Sequence, residues 1–210
     1  MGLNRFRTID LVSLSPIRIV IGLILFASAT LQADRQDWPV YRGSAAATQY
    51  STLDQINRSN VHKLEVAWTY QTGDAGNRTM IQCNPLMIDG VLYGTSPKLD
   101  VFAVNAATGT EIWRHKPSSS NSIEGVNRGV TYWTDGRETR ILFTAGHELV
   151  CLNAATGQVL PEFGESGRVD LRKHLKYPPE SLSLSVTSPG IVYKDLIIMG
   201  SSTGEGYQAS

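Results

Sequence analysis

The five residues Asn-Ala-Ala-Thr-Gly stand at 105–109 and again at 153–157 of this 210-residue chain, 48 positions apart. Each follows a short apolar run, VFAV in the first case and LVCL in the second. A fixed period of this size means that one supersecondary unit is written more than once, and that each copy buries its apolar face against the next. The turn chemistry around the repeats says which unit it is.

From residue 64 onward short apolar runs alternate with turn signals, the pattern of strands rather than helices. LEVAWTY (64–70) alternates in polarity, and PLMIDGVLYGT (85–95) reads as two strands joined at Asp89-Gly90. An Asp-Gly pair supplies the positive φ that a tight hairpin needs. VFAVNAATGTEIW (101–113) turns again at Thr108-Gly109, so the first unit holds about four strands. A second unit follows in the same order with GVTYWTDGRETRILFTA and LVCLNAATGQVL, and a third opens with SPGIVYKDLIIMGSS. Four antiparallel strands repeated every ~40–50 residues match a β-propeller blade, with a flat solenoid as the alternative. The expected fold is therefore all-β, an antiparallel propeller of which about three blades are present. Closed propellers have at least about four blades, so the chain is expected to be a piece of a longer protein.

The ends of the chain differ in character. Arg5, Arg7 and Arg18 precede the apolar run IVIGLILFASA, followed by small residues up to Ala33. That is the layout of a secretory signal peptide, and its core of about ten residues is short of the ~20 that a spanning helix needs. Residues 1–33 are read as a signal peptide, 34–63 as a lead-in segment with at most one short helix near 54–63, and 64–210 as the propeller. The protein is then expected to be periplasmic or otherwise exported, with an uncleaved N-terminal membrane anchor as the alternative. Nineteen basic and nineteen acidic side chains balance, and 41% of residues are hydrophobic. This describes a globular chain, with no bulk charge to attract nucleic acid. Of the two cysteines, Cys151 falls at the repeat position of Ala103 and is read as a small buried strand residue. Cys83 is read as packed rather than reactive. Neither forms a haem-attachment motif or a zinc site.

The pattern A-x-x-A-x-T-G-x-E-x-W from Ala103 to Trp113 resembles the tryptophan-docking repeat of the pyrroloquinoline quinone (PQQ) dependent alcohol and glucose dehydrogenases, which are eight-bladed propellers. An aromatic ring at the end of an outer strand can lie against the neighbouring blade and staple two sheets. In the second repeat Leu160 is read in place of Trp113, so that staple is expected to be missing there. The resemblance extends through DWPVYRG, YSTLDQINRSNVHKLEVAW, NRGVTYW, TSPGIVYKDLIIMGSS and the final GEG, covering residues 37–210.

Propellers with such repeats also serve as non-catalytic scaffolds, so the residues between the repeats matter more. An anionic quinone needs cationic or hydrogen-bonding partners, and its reactive carbonyl is polarised by a metal in this family. The resemblance implies Arg128 as a quinone contact and Thr187 and Ser202 as hydroxyl donors to a quinone carboxylate. It implies Glu205 as a ligand of an active-site Ca²⁺ or another hard cation. Gln82 stands where many members have Glu, a neutral contact in place of a charged one. Ser122 and Ile123 stand where methanol-oxidising members carry two adjacent cysteines, so their vicinal disulfide is impossible here. That leans toward the glucose or sugar dehydrogenase-like branch. The implied function is an exported oxidation of an alcohol or sugar hydroxyl by hydride transfer to PQQ with metal assistance, electrons passing to a membrane quinone (ubiquinone) or cytochrome c. The general-base aspartate is expected beyond residue 210. The alternative is a non-catalytic propeller presenting a binding surface.

Overall fold

A computed structural model describes residues 37–77, 79–117 and 126–203. The signal-peptide reading of residues 1–33 and the positions Ser122, Ile123 and Glu205 lie outside the described residues. Among the described residues no helix is long and apolar enough to cross a membrane.

The described part is built of antiparallel strands. The first sheet is a meander of β1 (Leu86–Ile88), β2 (Val91–Thr95), β3 (Val101–Asn105) and β4 (Glu111–His115), in that spatial order. The second repeats it with β5 (Thr131–Thr134), β6 (Thr139–Ala145), β7 (Glu148–Asn153) and β8 (Arg168–Asp170). Four-stranded meanders at the sequence repeat are propeller blades, as the period implied. A third blade begins with the hairpin of β10 (Ile191–Tyr193) and β11 (Leu196–Ile198), and β9 (Leu184–Ser185) pairs with β12 (Ser202–Thr203). The lead-in segment contains one 3-10 turn, Val61–Lys63, and Trp38 exchanges two backbone hydrogen bonds with Met87 on β1.

The turns form for the reasons legible in the chain. Asp89 and Gly90 both adopt positive φ, 50° and 77°, as a two-residue hairpin turn of primed type demands. In each NAATG run the asparagine side chain caps its own turn. Asn105 Oδ1 accepts from the N–H groups of Ala107 and Thr108, and Asn153 Oδ1 from those of Ala155 and Thr156. The closing glycines, Gly109 and Gly157, have φ of 72° and 69°. Asx turns ended by a left-handed glycine are a local device, so the same five letters produce the same turn twice.

The two complete blades share one core. Leu86, Tyr93, Val101 and Trp113 of the first pack with Ile141, Phe143, Val150 and Leu152 of the second. Trp113 is the staple: its indole N–H donates to the carbonyl of Ala154 at 2.9 Å, and its ring lies over Gly157. Trp68 does the same one blade earlier, donating to Ala106 at 3.1 Å with its ring over Gly109.

Two expectations are corrected. LEVAWTY is not a strand of the first blade, since residues 64–70 belong to no sheet among the described residues. It runs beside β4 through side chains, with the Tyr70 hydroxyl bonded to Glu111 and to Arg114. Of the apolar side chains on its alternating face, Trp68 and Tyr70 turn toward the first blade, while Leu64 and Val66 stay 59% and 82% exposed. Nor does Leu160 occupy the outer-strand place of a tryptophan. After one bridge between Leu152 and Val159 the chain leaves the sheet at Pro161, and the outer strand β8 begins only at Arg168. Leu160 packs instead with Leu142, Leu149, Cys151 and Phe163, and Ile197 and Met199 of the third blade close over this group. Mixed aliphatic and aromatic packing takes the place of the indole staple at that boundary.

Both cysteines behave as read. They are free thiols, with Cys151 fully buried on β7 and its thiol pushed up to about 11 by burial. The Cys83 sulfur accepts the Thr95 N–H, and burial raises its thiol as well.

Candidate functional site

The segments that lead into the first strands of successive blades lie side by side. Asn84 donates its backbone N–H to the carbonyl of Arg128 at 2.9 Å, and Arg128 donates its own to the carbonyl of Thr187 at 2.7 Å. Residues 103 positions apart are thus joined by two backbone bonds through Arg128. Gly129 makes the close approach possible: at φ 140°, a Cβ there would meet the Asn84 carbonyl oxygen at 2.8 Å.

Onto this row the chain places the side chains singled out above. The exposed Arg128 guanidinium donates through Nη1 to the Thr187 hydroxyl at 2.7 Å. Among the described residues it has no carboxylate partner. Ser202 sits on β12 opposite Ser185, two residues before Thr187, with its side chain exposed. Gln82 lies two residues before Asn84 on the same row, exposed, its amide directed to the Met80 sulfur at 3.0 Å. Arg128 and Thr187 are therefore brought into direct contact, and Gln82 and Ser202 lie on the flanking segments.

Chemically, an exposed guanidinium bonded to a hydroxyl, on a segment fixed by backbone hydrogen bonds and flanked by segments carrying further hydroxyl and amide groups, suits a carboxylate-bearing ligand. Guanidinium–carboxylate bonds are charge-assisted, and here the donor is held in place before the ligand arrives. A cation site is a different matter. Among the described residues no group of three or more His, Cys, Asp or Glu side chains could hold a metal ion.

No local motif marks the residues that hold this row. Asn127 and Thr144 are both buried, and they link the segment of Arg128 to that of Thr187 through hydrogen bonds. The signal was the asparagine in VNRG, a polar side chain just ahead of an apolar strand, but its burial depends on contacts with β6 that no local pattern reveals.

The sequence comparison decides the family. The glucose/ethanol/alcohol dehydrogenase β-propeller domain family, PQQ, matches residues 38–210. The chain belongs to this quinoprotein family. It is 30% identical over 208 residues to quinoprotein glucose dehydrogenase A of Acinetobacter calcoaceticus, a match covering 86% of this chain and 26% of that protein. Among solved structures, the quinohemoprotein alcohol dehydrogenase of Comamonas testosteroni superposes with a TM-score of 0.65 at 29% identity, over 80% of this chain and 23% of that one. A europium-containing methanol dehydrogenase superposes with a TM-score of 0.60 at 26% identity, over 81% of this chain and 28% of that one. This quinoprotein chain thus spans about a quarter of the length of the relatives it matches. Its two complete blades and partial third are part of a propeller, as the tandem repeats implied.

Proposed function

We propose that the protein to which this chain belongs is an exported PQQ-dependent dehydrogenase that oxidises an alcohol or sugar hydroxyl. Family membership supports the chemistry, and one observation in this chain supports placing part of the quinone site here. Arg128 presents an exposed guanidinium that Thr187 orients and that no described carboxylate neutralises. A propeller that only offers a protein-binding surface has no evident need for such a group beside its first strands. PQQ, when bound, supplies the quinone carbonyl that accepts hydride from the substrate.

This chain's own residues bind and orient. Arg128 holds a quinone carboxylate by charge-assisted hydrogen bonds, while Thr187 limits its rotamers and offers its own hydroxyl. Ser202 and Gln82 contribute neutral hydrogen bonds from the flanking segments. Glu205 is proposed as a ligand for Ca²⁺ or another hard cation, supported by its place in the GSSTGEG run. The substrate is placed in the sugar or alcohol class because the similar proteins named above are glucose and alcohol dehydrogenases. A membrane quinone or cytochrome c is the proposed electron acceptor.

Titrating the intact protein with PQQ and with Ca²⁺ tests this reading. Arg128→Ala is expected to weaken PQQ binding by about 1.5–3 kcal/mol, the scale of a hydrogen bond to a charged group. Glu205→Gln is expected to raise the Ca²⁺ needed for half-maximal activity while leaving PQQ binding near its original value. Unchanged half-saturation for both ligands in both variants would favour the scaffold reading instead.

A further inference from the structure

A polar side chain inserted into a sheet edge needs a reason, and Asn127 is such a side chain. In the β5–β6 ladder Thr131 stands opposite Leu142. Continuing that register back toward the start of β5 would set Gly129 opposite Thr144, where two strands would ordinarily exchange backbone hydrogen bonds. They do not. The Gly129 N–H donates to Asn127 Oδ1 at 2.7 Å, and Asn127 Nδ2 donates to the Thr144 carbonyl at 3.1 Å. One side-chain amide is spliced between the strands, satisfying both backbone groups. Its donor and acceptor ends match their partners one to one, which also settles the amide's orientation.

The consequence falls on the residue between. Arg128 lies between the two residues that the amide ties together, and its backbone N–H, on the opposite side of the chain from that of Gly129, donates to Thr187. Thr144 completes the brace. Its hydroxyl donates to the Val186 carbonyl at 2.6 Å, and the Val186 N–H reaches Gly146 at 3.2 Å. Both ends of the Arg128–Thr187 pair are thus anchored to the same stretch of β6 and the turn that follows it. Asn127 and Thr144 are only 5% and 4% exposed. Apolar residues would pack at such depth with less desolvation cost, so satisfied polar groups there specify a geometry.

We propose that Asn127 and Thr144 are positioning residues for ligand binding, an amide spliced into the blade edge and a hydroxyl brace that together set the direction of the Arg128 guanidinium. The proposal rests on the reading of Arg128 as a quinone contact. Neither side chain touches the ligand. Both act through the backbone of residues 128 and 186–187.

A double-mutant cycle on the intact apo-protein tests it, with PQQ binding followed by the quinone's own absorbance so that turnover is not needed. Thr144→Val keeps the volume and removes the hydroxyl, and Asn127→Asp keeps the acceptor for Gly129 while removing the donor to Thr144. Each is expected to raise the PQQ half-saturation concentration about three- to tenfold, the scale of one neutral hydrogen bond acting through another. Thr144→Ser is expected to restore it. In an Arg128→Ala background Thr144→Val is expected to add nothing, because the group it aims is gone. A purely structural role would lower the unfolding midpoint and change half-saturation by the same factor with and without Arg128, or not at all, and either result overturns the proposal. Should Thr144→Val fail to fold, Asn127→Asp decides by the same cycle. If Arg128→Ala alone leaves PQQ binding unchanged, the parent reading falls and this one with it. If Arg128→Ala weakens binding while the cycle is additive, only the positioning role is lost.

Discussion

Gly157 is held by two constraints that act separately. Its φ of 69° costs a side-chain-bearing residue about 1–2 kcal/mol, and a Cβ at this point would overlap the Trp113 indole. Gly73 has nearly the same φ, 72°, but nothing within 4 Å of the position a Cβ would take. Gly73→Ala is therefore expected to cost about 1–2 kcal/mol from backbone strain alone. Gly157→Ala adds overpacking and is expected to cost about 2–4 kcal/mol. Denaturant midpoints of the two variants compare them directly, and equal losses would mean that the indole does not press on Gly157. His115 makes a second residue-scale prediction. Its Nε2 is buried without a hydrogen-bond partner, its ring meets Phe143 edge-on, and burial together with the Arg168 cation holds its imidazole below the ordinary histidine value. A hydrogen bond with the Gly157 backbone and, to a lesser degree, Asp100 oppose that shift and do not reverse it. The folded state thus binds the proton less readily than the unfolded chain. Stability is intact above the ordinary value of about 6.5 and is lost as pH falls through and below it. The unfolding midpoint should drop between pH 7 and 5, and His115→Gln should flatten that slope.

At the scale of elements, the two blade boundaries use different materials. Between the first and second blades, Trp113 contributes a buried ring and a directed N–H bond to Ala154. Between the second and third, Leu160, Ile197 and Met199 contribute apolar contact, and the directed side-chain bonds come from threonine hydroxyls, Thr131 to the Gly190 carbonyl and Thr144 to that of Val186. Trp113→Phe is expected to cost about 1 kcal/mol for the lost hydrogen bond plus a partial cavity, and Trp113→Ala about 3–5 kcal/mol. Leu160→Ala is expected to fall lower, about 2–3 kcal/mol, because Leu160 is itself only partly buried. Thermal or denaturant unfolding of the intact protein measures all three. A Trp113→Ala loss no greater than that of Leu160→Ala would remove the case for a staple.

For the molecule as a whole, the β10–β11 hairpin leaves Ile191, Tyr193, Leu196 and Ile198 exposed, while Val192 and Ile197 on the other face are partly buried. Strand edges and contiguous apolar side chains left to solvent drive self-association. Expressed by itself, this 210-residue chain is expected to associate at micromolar concentration, and Leu196→Lys with Ile198→Lys to reduce that association. Light scattering on both samples checks it, and a monodisperse monomer from the unaltered chain would contradict it.

How much of this was legible beforehand follows from the range of the interactions involved. The NAATG turns, the Asp89-Gly90 hairpin and the four-strand period arise from neighbours in sequence, so residue order by itself determined the blades. Cys151 was legible for the same reason, since the repeat aligned it with Ala103. LEVAWTY was misleading because alternation does not require a sheet partner alongside: of its apolar face only Trp68 and Tyr70 are partly buried. Leu160 was misplaced by one position, since the 48-residue period sets Pro161 opposite Trp113, and no period registers residues 161–167, which delay β8. Arg128 and Thr187 were nameable only by resemblance, whereas their contact, the Asn127 splice and the Thr144 brace were decided by tertiary structure alone. The backbone bonds Asn84–Arg128 and Arg128–Thr187 join residues 44 and 59 positions apart. Bonds of that range form only after complete blades have packed side by side, and no local pattern of residues encodes them.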